Sequence, residues 1–230
     1  MRETGAFCGI FLFHGAKKKM NREGITAMQN KRGKNTKKKI VSAAWKLFYE
    51  QGYDNTTVDD IIELSATSKG SFYHYFEGKD ALLSSLSFLF DEKYEELIPT
   101  LQPDMDSFDK LLYLNQELFN LIESTISLDL LARLYSTQLT TKGEKHLLDH
   151  NRTYYKLLRQ LVREGQEKGE IRADMSANEI TKLYALCERA LMYDWCICNG
   201  DYSLKNYAKT AMPMLLHEIR IEPTMTHEMS

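Results

Sequence analysis

Apolar residues recur at helical spacing along most of the chain, and nowhere do they alternate as a half-buried strand would. Ile40, Ala43, Ala44, Leu47 and Phe48 mark one face of a helix expected from Asn35 or Thr36, either a suitable N-cap, to about Gln51, where Gly52 ends it. Thr57, with Asp60 three residues on, has the pattern of a capping box and opens a second helix with Val58, Ile61, Ile62 and Leu64 as its apolar positions. Ser65-Ala66-Thr67 reads as a turn. Ser68 then caps a short third helix, whose Phe72 and Phe76 are expected to close a small three-helix core. After Gly78 a long helix is expected from Lys79 to about Ile98, carrying Leu82, Leu83, Leu86, Leu89, Phe90, Tyr94 and Leu97 into a larger core. Pro99 and Pro103 end it, and further helices are expected at roughly 106–124, 127–141, 144–168, 177–199 and 203–219, the last kinked by Pro213. The class expected is all-α, with a flexible basic tail at 1–33, a three-helix domain at 34–80 and a larger helical domain at 81–230.

Charge changes this picture more than composition does. The net charge of −2 hides a split: residues 1–90 hold 14 Lys and Arg against 9 Asp and Glu, so the first part is basic and the remainder acidic. Such asymmetry is expected where one part meets an anionic polymer and the other does not. Lys31, Arg32, Lys34, Lys37, Lys38 and Lys39 lie before and within the first turn of the first expected helix, where cations oppose the helix dipole unless phosphates lie nearby. Cys8, Cys187, Cys196 and Cys198 have no C-x-x-C spacing, which argues against a disulfide framework and a structural zinc site and fits a reducing cytoplasm. No apolar run is long enough to cross a membrane. Phe7 to Phe13 is too short and has its lysines, Lys17 to Lys19, on the wrong side for an export signal. Met28 is a candidate natural start, with the earlier residues an upstream extension.

The stretch Thr56 to Leu83 carries the chemistry. Helix, three-residue turn and helix make a helix-turn-helix, whose second helix enters the DNA major groove. Ser68, Lys69, Ser71, Tyr73, His74 and Tyr75 crowd polar groups onto barely two helical turns, and Gly70 sacrifices helix propensity for close approach of another helix or a DNA strand. Lys69 and Lys79 sit in first turns, where a phosphate turns an unfavourable charge into a favourable one. The run T-V-x-x-I, then S-K-G-S-F-Y-H-Y-F, then K-D-A-L-L closely resembles the DNA-binding signature of the TetR family of bacterial transcription regulators over about residues 36–83. It departs at the turn, where the family usually has Ala-Gly-Val.

The resemblance implies that Thr57, Tyr73, Tyr75 and Lys79 contact phosphates, with Ser68, Lys69, Ser71 and His74 left for base edges or further backbone contacts. Thr57 is a helix cap whether or not it touches DNA. The resemblance also implies a homodimer on a palindromic operator, made by the last two helices, for which Leu191, Trp195, Tyr207, Ala211, Met212 and Leu215 are the candidates. It implies a small-molecule pocket in the helical domain, for which Tyr113, Gln116, Phe119, Tyr135, Gln138, Tyr154, Tyr184, Glu188 and Trp195 are candidates, although aromatic stripes at this spacing are commonly plain core. His146 and His150, with Glu144 and Asp149 beside them, lack an identifiable third ligand, so no metal and no cofactor are expected. The function expected is a cytoplasmic, ligand-released repressor without catalysis; the rival is a helical ligand-binding or enzymatic protein whose basic N-terminus is merely solvated, or an interaction scaffold.

Overall fold

A computed structural model of the chain describes residues 22–83, 85–140, 142 and 145–221, with residues 22–32 and 34 described by their backbone alone. Ten α-helices run through these residues: α1 Arg22–Gln51, α2 Val58–Ser65, α3 Lys69–Tyr75, α4 Lys79–Leu83, α5 Leu86–Leu97, α6 Ser107–Thr125, α7 Leu128–Thr140, α8 Thr153–Lys168, α9 Ala177–Ile197 and α10 Leu204–Leu215. Among the described residues the β-structure is one antiparallel bridge between Ile171 and Arg220, which ties the segment after α10 to the α8–α9 loop.

The capping signals act as read. Thr57 Oγ1 accepts from Asp60 N at 3.1 Å while Asp60 Oδ2 accepts from Thr57 N at 2.8 Å, and Ser68 Oγ accepts from Ser71 N at 3.1 Å. Phe72 and Phe76 are buried against Ile40, Ala44 and Ile61, so α1, α2 and α3 share a small core. Ala66 closes α2 in the left-handed region, at φ 50 and ψ 44. That conformation suits glycine, and an alanine there carries strain.

Three expectations fail. α1 begins at Arg22, well before Asn35, so residues 22–33 are helical here; the rest of the expected tail, including Phe7 to Phe13 and Met20, lies outside the described residues. The helix expected from Lys79 to Ile98 is two, because Ser85 Oγ donates to the Leu82 carbonyl and accepts from Trp45 Nε1 at 2.9 Å, giving the chain side-chain partners at the break. The helix expected from 144 starts instead at Thr153, after a 3-10 turn at His146–Leu148, and Asp91 of α5 accepts the first-turn N–H of Tyr154 at 3.1 Å. That start separates His146 from His150, whose ring instead packs on Tyr155 at 4.6 Å, so the two histidines do not share one face of an α-helix.

The larger domain packs around α6, which lies against α8 and α10 and contributes Phe108, Leu111, Leu114, Leu118 and Ile122 to the core. Gly165 permits this closeness: a Cβ there would lie 2.7 Å from Ile171 Cδ1 and 2.9 Å from Ser107 Cβ, so α8 meets α6 at backbone distance. No described helix is long and apolar enough to cross a membrane.

Candidate DNA-binding surface and effector cavity

Residues of the helix-turn-helix divide by what they touch. Thr57, Ser68, Lys69, Gly70, Tyr73 and His74 are exposed, and Ser71 is half-buried. Thr57 uses a lone pair as a helix cap and keeps its O–H to donate elsewhere, while Ser68 Oγ caps α3 and shares a hydrogen bond with Ser71 Oγ at 2.9 Å. Lys69 rests 3.1 Å from Asp59 in an exposed ion pair, the kind that contributes little and yields readily to a phosphate. A Cβ at Gly70 would have Ser68 Oγ, 4.0 Å away, as its nearest neighbour, so no other part of the described chain requires glycine there.

Three further candidates are engaged within the protein. Tyr75 is half-buried with its hydroxyl against α1, 3.0 Å from where a Cβ on Gly33 would sit. Lys37 places its ammonium 5.0 Å from the Phe88 ring centre and 5.8 Å from that of Phe76. Lys79 donates to the Tyr53 carbonyl at 2.7 Å with its ammonium 4.2 Å from the Tyr53 ring centre.

Tyr53 is the centre of a second cluster that the sequence reading missed. Its ring is buried, its hydroxyl donates to Asp80 of α4, and burial followed by that bond pushes the phenol pKa up. Arg133 of α7 lies over the same ring at 5.0 Å, donates to Asp54 at 2.7 Å and is held by Asp129 at 2.8 Å. One guanidinium of the larger domain therefore holds the α1–α2 corner, and Tyr53 passes that hold to both ends of Lys79-Asp80.

α7 also walls a cavity of about 30 Å³, enough for one or two water molecules. Phe90 and Tyr94 of α5, Leu131, Leu134 and Tyr135 of α7, Tyr154 of α8, and Glu188 and Met192 of α9 line it. Glu188 is fully buried; its carboxyl accepts from Asn115 Nδ2 at 2.9 Å and from Tyr154 Oη at 2.6 Å. Burial raises its pKa, and the hydrogen bonds it accepts together with the charge of Arg189 only partly oppose that. Arg152 is paired with Asp91 through Nε at 3.0 Å and Nη2 at 3.1 Å and also donates to the Ser87 carbonyl, so its charge is neutralised inside the wall.

Of the expected pocket residues, Tyr135, Tyr154 and Glu188 line this cavity, while the others lie elsewhere. Tyr184 Oη donates to the Leu111 carbonyl at 2.8 Å, Phe119 is core, and Trp195 Nε1 donates to the Tyr202 carbonyl at 2.8 Å. Gln138 steadies the His146–Leu148 turn by accepting from Leu147 N, Tyr113 is half-buried beside Thr100, and Gln116 is half-buried. Asn115 carried a readable signal, a polar residue within the apolar stripe of Leu111, Leu114 and Leu118. Arg152 and Asp91 carried none, because their pairing joins residues 61 positions apart.

The expected dimer face also divides. Leu191, Trp195 and Met212 are buried in their own core and are unavailable to a partner; Ala211 is half-buried, and Tyr207 and Leu215 are exposed. The outward apolar stripe consists instead of Leu186, Tyr193 and Ile197 on α9, with Tyr207, Met214 and Leu215 on α10.

Two family models match the chain. Residues 40–86 match the family described as bacterial regulatory proteins, tetR family, and residues 90–218 match the C-terminal region of YsiA-like proteins. An HTH-type transcriptional regulator of Lactococcus lactis subsp. lactis is 48% identical over 46 residues, covering 20% of this chain and 24% of that protein. The fatty acid metabolism regulator protein of Bacillus subtilis is 22% identical over 184 residues, covering 78% of this chain and 93% of that protein. Thermus thermophilus FadR, a TetR-family repressor solved in complex with lauroyl-CoA, superposes with a TM-score of 0.63 at 20% identity, covering 82% of this chain and 97% of that one.

Proposed function

Because the chain belongs to the TetR family of bacterial regulatory proteins, we propose that it is a transcriptional repressor that binds a palindromic operator as a homodimer and leaves it when a small molecule occupies the cavity of its helical domain. We read it as a cytoplasmic regulator rather than a catalyst. The exposed, polar surface of α3 over a single buried Phe72 is the observation that carries this reading. In it Tyr73 and the exposed hydroxyls of Thr57 and Ser68 hold phosphates, Lys69 exchanges Asp59 for a phosphate, and Ser71 and His74 reach base edges. Lys37, Tyr75 and Lys79 act from behind, by packing α3 and α4 in place.

The outward stripe of Leu186, Tyr193, Ile197, Tyr207, Met214 and Leu215 is the surface that meets the second copy. Two recognition helices then meet half-sites about 34 to 36 Å apart, or a multiple of that. The cavity supports ligand control through its smallness. A pocket for a drug-sized molecule needs roughly 300 Å³ or more, so occupancy must push its walls apart. α7 is one of those walls and also carries Arg133, so widening the cavity shifts the hold on Tyr53 and Asp54. Effector binding thereby favours a placement of α3 that no longer fits successive grooves. An apolar effector body suits these walls, as does the lauroyl-CoA of the T. thermophilus relative.

Selection of bound DNA from a random pool tests the reading. A palindrome should emerge, with log affinity falling steeply with log salt. Weak, sequence-blind binding would refute it. A screen of small molecules against the selected complex then tests release.

A further inference from the structure

The basic cluster at the start of α1 lies outside the caps and contacts of the helix-turn-helix. Between Arg22 and Lys39 stand seven Lys and Arg against the single Glu23. Lys37 and Lys38 are taken up by the protein, the first against the rings of Phe76 and Phe88 and the second in an ion pair with Glu92 at 2.9 Å. Helical register indicates what the others meet. Ile40, Ala44 and Phe48 follow one side of α1 and are buried in the core shared with α2 and α3. Gly33 lies on that side two turns before Ile40, and a Cβ there would lie 3.0 Å from Tyr75 Oη, so this is where α1 passes the end of α3. Eleven residues of helix precede that point, about 16 Å. On the side that carries Gly33 they place Gln29, Thr26 and Arg22 at intervals of about one turn, while Arg32 and Lys34 flank Gly33. The side that is apolar against α2 and α3 is therefore polar and cationic before Gly33. Lys31, Lys34 and Lys38, three and four residues apart, repel one another, and an anionic neighbour reverses that cost.

Resting on the repressor reading above, we propose that the segment Arg22 to Lys34 of α1 is a second DNA contact, in which Arg22, Arg32 and Lys34 neutralise backbone phosphates beside the groove that α3 enters and Thr26 and Gln29 add neutral donors. α3 presents Lys69, Gly70, Tyr73 and His74 outward, and a duplex seated on that surface has a sugar–phosphate wall at the edge of the groove. α1 passes that edge beside Tyr75. Phosphates along one strand are about 3.4 Å apart, so about 16 Å of helix spans about five of them. Contacts of this kind carry no base sequence. They lengthen the footprint and fix the orientation of α3 in its groove.

Anisotropy titrations of labelled operator with the full chain over a range of potassium chloride concentrations test this, together with hydroxyl-radical footprints of the complexes. Arg22→Ala/Arg32→Ala/Lys34→Ala is expected to make the slope of log affinity against log salt shallower by about 2 to 3, at about 0.9 per phosphate, and to weaken binding about tenfold or more at low salt. It should also lose protection over about five base pairs beside each half-site while keeping protection of the half-site itself. Lys156→Ala/Arg163→Ala/Lys168→Ala removes the same charge from exposed positions of α8 and should leave slope and footprint as in the wild type. Arg22→Lys/Arg32→Lys, which keeps the charge, should keep the slope. Melting curves establish that each variant folds, and if the triple variant at α1 does not, Thr26→Glu, which sets an anion on the same side, decides by the same readouts. A folded α1 variant with the wild-type slope and footprint overturns the proposal, and so does an equal loss from the α8 variant. Either result leaves the repressor reading intact if the wild type still selects a palindrome. A wild type that selects none, yet loses the same slope on random duplex when α1 is changed, would refute the repressor reading and keep this contact.

Discussion

Removing the Arg133 side chain separates coupling from binding. In Arg133→Ala the helix-turn-helix, its caps and the cavity wall keep their own contacts, and what is lost is the bond to Asp54, the bond to Asp129 and the stack on Tyr53. Asp54 and Asp129 are mostly exposed, with side-chain accessibilities of 72% and 59%, so each ion pair contributes about 0.2–1 kcal/mol at most and is further reduced by salt. The half-exposed cation–π contact adds about 0.5–1 kcal/mol. The fold should therefore lose about 1–2 kcal/mol and the melting temperature only a few degrees. The coupling should lose far more of its value. If effector normally lowers operator affinity by about 5- to 150-fold, the variant should lose most of that factor while still binding both ligands. Fluorescence anisotropy of labelled operator, titrated with and without the effector that frees the wild type, reads both affinities. Asp54→Ala should give part of the same loss, and the double variant should be no worse than Arg133→Ala alone. A folded Arg133→Ala that still releases DNA by the full factor would show that the α7 contact is not the route.

Three further outcomes follow from individual residues. Ala66→Gly relieves a left-handed alanine, so after the added unfolded-state freedom of glycine is subtracted the fold should gain about 0.5–1 kcal/mol, read as a higher urea midpoint with operator affinity unchanged. Gly70→Ala meets open space and should stabilise the fold by about 0.5–1 kcal/mol while weakening operator binding; stabilisation with unchanged affinity would show that DNA does not approach that backbone. Glu188 has a folded-state pKa above its ordinary 4.5, so the folded state holds its proton longer than the unfolded state as pH rises. This acid therefore costs no stability below the ordinary value and an increasing amount as pH climbs from 4.5 toward the raised one. Glu188→Gln removes that cost, and its advantage over wild type in denaturant melts should be absent at low pH and appear toward neutrality.

Local signals were legible because they need only neighbours in sequence. The Thr57–Asp60 box, the Ser68 cap and the inward Phe72 and Phe76 are each settled within a few residues, and the structure has them as read. The break between α4 and α5 was hidden because Trp45, 40 positions away, supplies a partner for Ser85. The late start of α8 was hidden for the same reason, since Asp91 supplies its acceptor.

The same distance rule explains why the site divided as it did. Lys37 and Lys79 have the charge that a phosphate contact needs, and where their ammonium groups rest is set by the surroundings. Phe88 and Tyr53 supply those surroundings. On α9, Glu188 and Met192 face the cavity while Leu186, Tyr193 and Ile197 lie outward. One helix thus holds the buried acid on one face and, in the proposed dimer, offers the other to a second copy. α7 does the analogous thing between cavity and DNA-binding domain, with Tyr135 on the first and Arg133 reaching the second. Rigid helices with one face in the cavity and another against a neighbour convert occupancy of a small space into displacement at a distance, since a packed interior does not absorb it.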